Sequence, residues 1–323
     1  MKQIFTILAV SGCLLASAQD AKKDTSYWTT AGFFGLNFSS TQLSDWQGGG
    51  QNNVALNGIF NYEAKFKKDK QEWLNKFDGQ LGFIRPGDAK QFRKSIDQIF
   101  ALSKYNVNAF SKYWFYAAQL DYRSQFSPGY KYTNEVREEP AVSDFNSPGY
   151  TQVAIGLDFK PVNYFSATFA PVAGKITTVN RQYLADEGAF GVEKAVKDAN
   201  GNVVTQGRRM RSEFGGRVML KFKKDIAKNV NLDSYLDLFS NYMNNPGNID
   251  VVFNNLLTIK LSKYFTANVI SQMVYDDDII RVRDLDNLRD ANGDRIIDKS
   301  KGEFSGPRLQ ALTTFAIGFG YKF

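Results

Sequence analysis

The chain has no histidine and only one cysteine, Cys13, in 323 residues. Without histidine, the commonest general acid–base group and a frequent metal ligand are missing, so an enzyme is not expected. With its one thiol near the start, the rest of the chain can form no disulfide and no cysteine-ligated metal site. No Gly-rich phosphate loop, paired catalytic carboxylates or nucleophile–base set stands out, and no motif calls for a cofactor. Lys and Arg outnumber Asp and Glu by 40 to 33, but they are scattered. No dense basic cluster marks a nucleic-acid partner. After the first residues there is no apolar run near the roughly 20 residues of a membrane-spanning helix. Mean hydropathy is −0.36, too polar for a bundle of such helices.

What is present is aromatic and alternating. There are 27 Phe and 16 Tyr. Phe315, Ile317, Phe319, Tyr321 and Phe323 alternate with small or polar residues. A period of two gives a strand with one apolar face. Such a strand left as an edge would invite aggregation, whereas a closed membrane barrel zips it to the first strand. A chain ending on such a strand and on Phe resembles the terminal sorting signal of bacterial outer-membrane barrels. At the other end, Met1-Lys2-Gln3, the apolar run from Ile4, and Ala16-Ser17-Ala18 have the layout of a cleavable signal peptide over 1–18. Val10-Ser11-Gly12-Cys13 offers a rival lipoprotein box, although apolar Leu14 and Leu15 follow it. Residues 19–323 then form one domain.

Period-two segments at 28–40, 52–67, 71–85, 95–108, 112–127, 149–160, 163–173, 206–223, 229–243, 249–262, 264–277 and 307–323 predict about 12 strands. Short connections alternate with longer ones, as in barrels with periplasmic turns and external loops. The fold class expected is therefore all-β: a transmembrane antiparallel up-and-down β-barrel, both termini periplasmic, in contact with outer-membrane lipid. Aromatics such as Phe66, Trp73 and Trp114 near the turns, and Phe38, Phe126 and Tyr150 near the loops, would form two interfacial girdles. The facing of 95–108 stays open, because Ile96, Phe100 and Leu102 compete with Ile99, Ala101 and Val107.

Separated faces assign charges to the lumen. Asp121 and Arg123 alternate with Leu120 and Tyr122, and Asp158 with Leu157 and Phe159. Arg211, Glu213, Arg217 and Lys221 alternate with Phe214, Val218, Leu220 and Phe222, and Asp233 and Asp237 with Leu232, Leu236 and Leu238. A charge on the lipid face costs about 2–4 kcal/mol at mid-membrane, which enforces the separation. These charges suit either a solute pathway or a set of pairs filling a narrow interior; about 12 strands enclose far less than a 16-stranded porin, which favours a plug or narrow pore. The function expected is that of a narrow channel or a scaffold presenting external loops; a non-conducting accessory subunit, with other outer-membrane proteins as partners, is the alternative. No solute is named by these residues.

Two loop motifs invite a cation reading. Asp198-Ala199-Asn200-Gly201-Asn202 and Asp290-Ala291-Asn292-Gly293-Asp294, the second running to Asp298, space oxygens as in a calcium loop. Lys301 stands where the bidentate Glu belongs, and Asn-Gly is a strong turn signal, so hairpin tips are expected instead. Ser127-Pro128-Gly129-Tyr130 and Ser147-Pro148-Gly149-Tyr150 bracket another loop and suggest type II turns.

Asn37 to Asn52 (NFSSTQLSDWQGGGQN), WLNKFDGQLGF at 73–83, SIDQIFALSKY at 95–105 and YWFYAAQLDYRSQFSPGY at 113–130 carry a resemblance. The chain resembles the Bacteroidota outer-membrane β-barrel family catalogued as domain of unknown function 3078. That resemblance implies an outer-membrane location and a barrel. It implies no activity and transfers no functional residue.

Overall fold

The computed structural model describes residues 26–41, 53–87, 89, 91–133, 135–262, 264–283, 297, 300 and 304–322. The signal segment with Cys13, Gly48 to Gly50, the loop motif with Asp290, Asn292, Asp294 and Asp298, and Phe323 lie outside them.

Twelve strands form the wall: β1 (Trp28–Thr41), β2 (Asn53–Lys68), β3 (Gln71–Pro86), β4 (Arg93–Asn108), β5 (Trp114–Ser124), β6 (Gly149–Val162), β7 (Phe165–Thr178), β8 (Met210–Ala227), β9 (Val230–Asn241), β10 (Ile249–Lys260), β11 (Phe265–Tyr275) and β12 (Gln310–Lys322). Each pairs antiparallel with its sequence neighbours, and β12 returns to β1, so the sheet is a closed barrel. Closure is what such a sequence requires: every strand has an apolar outer face, and a sheet rolled on itself exposes no long edge. The connections β2–β3, β4–β5, β6–β7, β8–β9 and β10–β11 are short and share one end of the barrel. Asp69 and Asn229 sit in two of them at positive φ, which short Asx side chains tolerate.

Outward residues are large and apolar, including Phe34, Leu36, Tyr116, Leu120, Ile155, Phe169, Phe214 and Phe315. Aromatics band at the short-turn end: Trp28 packs on Phe66 and Trp73 (5.3 and 5.8 Å), and Trp114 on Phe159 and Phe110 (4.7 and 5.7 Å). At the other end Phe214 meets Tyr242 edge-on at 6.0 Å.

Several boundaries and faces differ from the sequence reading. β7 continues to Thr178, five residues past the expected end. β8 starts at Met210, because 206–209 belong to the preceding loop. In β4 the even residues face inward: Arg123 lies over the Phe100 ring, while Tyr105 is exposed outside. Tyr150 stands on the inward face with Gln152, and is not part of a girdle. Neither Gly129 nor Gly149 adopts the positive φ that a type II turn needs. Gly129 bridges Ser143 and Gly149 opens β6. At the β6–β7 bulge only glycine fits position 156, since a Cβ would collide with the Phe169 carbonyl.

Candidate functional site

Alternation delivers ionised side chains to the interior in three tiers. The middle tier is centred on Arg217 of β8. Its guanidinium donates to Asp121 of β5 (Nη1 to Oδ1, 2.6 Å) and to Asp237 of β9 (Nε to Oδ1, 2.8 Å; Nη2 to Oδ2, 2.7 Å). Arg123 donates to the same Asp237 at 2.9 Å, and Gln119 to Asp121 at 2.8 Å. Arg217 and Asp121 are completely buried. Two arginines face two aspartates, so the tier is neutral and its charges are saturated. Ala154, Ala170, Ala173, Met219 and Phe239 pack together on the same inward face. A buried pair with this geometry and no spare partner holds distant strands in register.

At the short-turn end, Asp158 accepts from Thr168 (2.6 Å) and Asn106 (3.2 Å) and pairs with Lys104 at 2.9 Å. Lys160 joins it to Glu72 of β3 at 2.7 Å. Nearby, Lys76 pairs with Asp78, which also accepts from Asn61. Lys221 stands opposite Tyr235 in the β8–β9 register, and Asp233 pairs with Lys223 at 3.2 Å.

At the long-loop end, Lys175 of β7 reaches Asp250 of β10 (2.5 Å), Asp276 (2.8 Å) and Glu213 (3.6 Å). Arg211 pairs with Glu213 at 2.7 Å and Asp278 at 3.0 Å, and donates to the Gly191 carbonyl at 3.0 Å. Across the middle of the barrel, Gln98 of β4 donates to Gln272 of β11 at 2.6 Å. These two strands lie five steps apart on one side of the ring and seven on the other, so the bond spans the lumen.

Of the charges assigned to the interior, Asp121, Arg123, Arg217 and Asp237 come together in one network. Arg211 joins Glu213 in a second, Asp158 is in a third, and Lys221 and Asp233 lie towards the short-turn end. The sequence reading missed Lys175, because β7 was ended too early, and Lys104, because β4 had no assigned face. Asp250 sits at a strand start, where alternation has not yet begun.

The two long described loops pack on each other as a cap at the long-loop end, touching the inward Arg211 through the Gly191 carbonyl. Val179, Leu184, Ala185 and Val192 form a small apolar core around the short helix Gln182–Asp186. The Tyr183 hydroxyl donates to the Ala141 carbonyl at 2.7 Å, Arg181 pairs with Asp144, and the Arg181 amide donates to Ser147 Oγ at 3.0 Å. The Gln182 amide and the Gly207 N–H both donate to Asp186, which holds its carboxyl below the usual range. Asp198 accepts from the Asn202 and Asn200 amides, is likewise lowered, and closes the tip of the hairpin Val196–Lys197 with Val203–Thr205. Gly201 at φ 83° completes that turn. Among the described residues, no group of three or more acids, cysteines or histidines is arranged to hold a metal.

No curated protein sequence matches the chain. Solved structures with similarity include a mutant of the ferric enterobactin receptor PfeA from Pseudomonas aeruginosa, at 9% identity and a TM-score of 0.32, covering 79% of this chain and 46% of that one. Salmonella typhi OmpF in complex with daunomycin matches at 10% identity and a TM-score of 0.26, covering 92% of this chain and 97% of that one. The copper transporter OprC matches at 9% and 0.22, covering 90% and 58%. The chain thus spans about half the length of the receptor. Residues 38–130 match the model of a family described as "Protein of unknown function (DUF3078)", which supports the resemblance read from that stretch.

Proposed function

We propose that the chain is an outer-membrane β-barrel of the Bacteroidota type whose lumen is closed by its own side chains and whose role is to present the folded cap outside the cell. Lipid and other outer-membrane proteins are its partners, and both termini are periplasmic. The carrying observation is the saturated middle tier, with Arg217 held between Asp121 and Asp237, together with the Gln98–Gln272 bond across the lumen. A conducting pore needs charges that meet water and ions; here they meet one another. An exterior of Phe, Leu and Ile with aromatic bands at the ends fits a bilayer and would aggregate in water. The missing histidine argues against catalysis, so neither an enzyme nor a cofactor is part of this reading.

Reconstitution in planar bilayers tests it. The closed reading expects no discrete ohmic steps from the wild type, and steps from Arg217→Ser/Gln98→Ala. Regular steps from the wild type would replace it with a narrow channel. Surface proteolysis of intact cells tests the orientation: cleavage between 196 and 205 places the cap outside.

A further inference from the structure

The ladder that closes the barrel is short. β1 pairs with β12 only from Phe33–Lys322 to Leu36–Phe319, four register pairs among the described residues. β1 makes fourteen pairs with β2, and β12 makes ten with β11. Beyond Leu36 and Phe319 the register would continue as Asn37 with Gly318, up to Thr41 with Thr314, but no pair joins these stretches. The two strands part towards the long-loop end. In a bilayer, unpaired peptide groups facing a parted seam are costly unless something hydrogen-bonds them.

The inward face of β1 to β3, from the seam across to Gln80, holds polar atoms with nothing to bond. Asn37 and Asn57 are register partners on β1 and β2, and Asn57 pairs onward with Gly82 of β3. Gly318, Asn37, Asn57 and Gly82 thus form one row over four adjacent strands. Asn37 Nδ2 and Asn57 Oδ1 are buried without a hydrogen-bond partner, as is Gln80 Nε2 two residues before Gly82. Gln80 as a whole is more than nine-tenths buried. The glycines leave the space: a Cβ at 318 would collide with Asn37 Oδ1, and one at 82 would lie 3.3 Å from Asn57 Oδ1. The row carries no charge. Outside the parting, the flanking side chains are apolar and unusually bare: Phe315 is 78% exposed, and Phe38 and Ile317 are each 66% exposed.

We propose that the parted β1–β12 seam binds a membrane amphiphile whose uncharged, hydroxyl- or amide-bearing head reaches Asn37, Asn57 and Gln80 while its acyl chains lie against Phe38, Phe315 and Ile317. The head supplies both donors and acceptors, matching two free donors and one free acceptor. An anionic head would find carboxamides and no cation in this row. A partner β-strand could satisfy the backbone edges but would leave the three carboxamides unbonded. The proposal rests on the membrane-spanning reading of the barrel.

The test is reconstitution of the full chain into phosphatidylcholine vesicles containing galactosyl diacylglycerol or, in parallel, phosphatidylglycerol. Flotation, then gentle extraction and native mass spectrometry, reads what stays bound. Retention of the galactolipid over phosphatidylglycerol is expected. Asn57→Leu and Gln80→Leu should each weaken it about three- to tenfold, the effect of one lost hydrogen bond. Heat-modifiable gel mobility checks that these variants still fold. A benzophenone side chain in place of Phe315 should cross-link galactolipid beyond its share of the bilayer. Equal retention of both lipids, or cross-links in proportion to abundance, overturns the site, and cross-linking to a protein replaces it with a strand-adding partner. Failure to float removes the membrane reading and this proposal with it, whereas floating without selective retention removes this proposal alone.

Discussion

Two arcs of the same barrel solve the interior differently. From β3 to β9 the inward face carries Lys76, Asp78, Lys104, Asp121, Asp158, Lys175, Arg217 and Asp237, all in ion pairs, of which Arg217–Asp121 and Lys175–Asp250 reach three strands away. From β10 through β12 to β1 the described inward residues are amide, hydroxyl, glycine, aliphatic and Phe33, and the ionised ones among them stand at the ends of β10, Asp250 and Lys260. The first arc is locked, because each buried charge needs its partner and cannot leave it. The second has no such lock, and it is where the ladder shortens to four pairs. Charge pairs fix strands, while carboxamides and glycines leave them free to part. The barrel therefore combines a rigid wall with one able to open.

The largest expected effect breaks the rigid arc. Asp121→Ala leaves Arg217 buried with half its partners, and removing one member of a buried pair costs about 3–5 kcal/mol. Urea unfolding in detergent should show a loss of that order. Asn57→Leu, on β2 beside the seam, removes no satisfied bond and should cost under about 1 kcal/mol. Equal losses would erase the distinction between the arcs.

A charge on the outer face sharpens the contrast further. Leu220→Arg places a guanidinium on the lipid face of β8, for about 2–4 kcal/mol at mid-membrane. Phe315→Arg flanks the parted seam, where its head can turn towards the polar crotch, so a smaller loss is expected there. Refolding titrations into vesicles would compare the two. Next comes local opening. Hydrogen exchange should be faster at 37–41 and 314–318 than at 215–222, where β8 is paired on both sides apart from one bulge. Uniform protection would mean that the seam is zipped in the membrane.

Much of the wall was legible because period-two alternation reports a strand and its facing at once. All twelve strands, and the alternation of short and long connections, follow from residues such as Val153, Ile155 and Leu157 set against Gln152 and Ala154. The facing of β4 was not legible, since aliphatic residues occupy both of its faces and contacts with other strands, Arg123 over Phe100, Lys104 with Asp158 and Gln98 with Gln272, separate them. The seam was not legible either. Asn37 and Gly318 stand almost a chain length apart, and nothing local marks them as would-be neighbours. The cap core escaped for a different reason: Leu184 and Ala185 sit on a five-residue helix, too short to show a helical period.

The smallest expected effect belongs to the cap, and its sign follows from Asp186. Two hydrogen bonds, from the Gln182 side chain and the Gly207 amide, favour its ionised form, so its folded pKa lies below the unfolded value of about 3.9. A depressed carboxylate contributes stability that is fully present above the unfolded pKa and is lost as pH falls through the folded one. Asp198 acts in the same direction at the hairpin tip. Limited proteolysis between 196 and 205 should therefore be flat from neutral pH down to about pH 5 and rise below about pH 4. The barrel, whose buried pairs are shielded from bulk protons, should keep its heat-modifiable mobility there. Asp186→Asn should raise cleavage at neutral pH and flatten the acid rise, because the amide can accept the Gly207 bond but gains nothing from ionisation. If the variant kept the full acid rise, the loosening would have to come from Asp198 or another carboxylate of the cap. The rigid arc would then stay the better-defined half of the molecule.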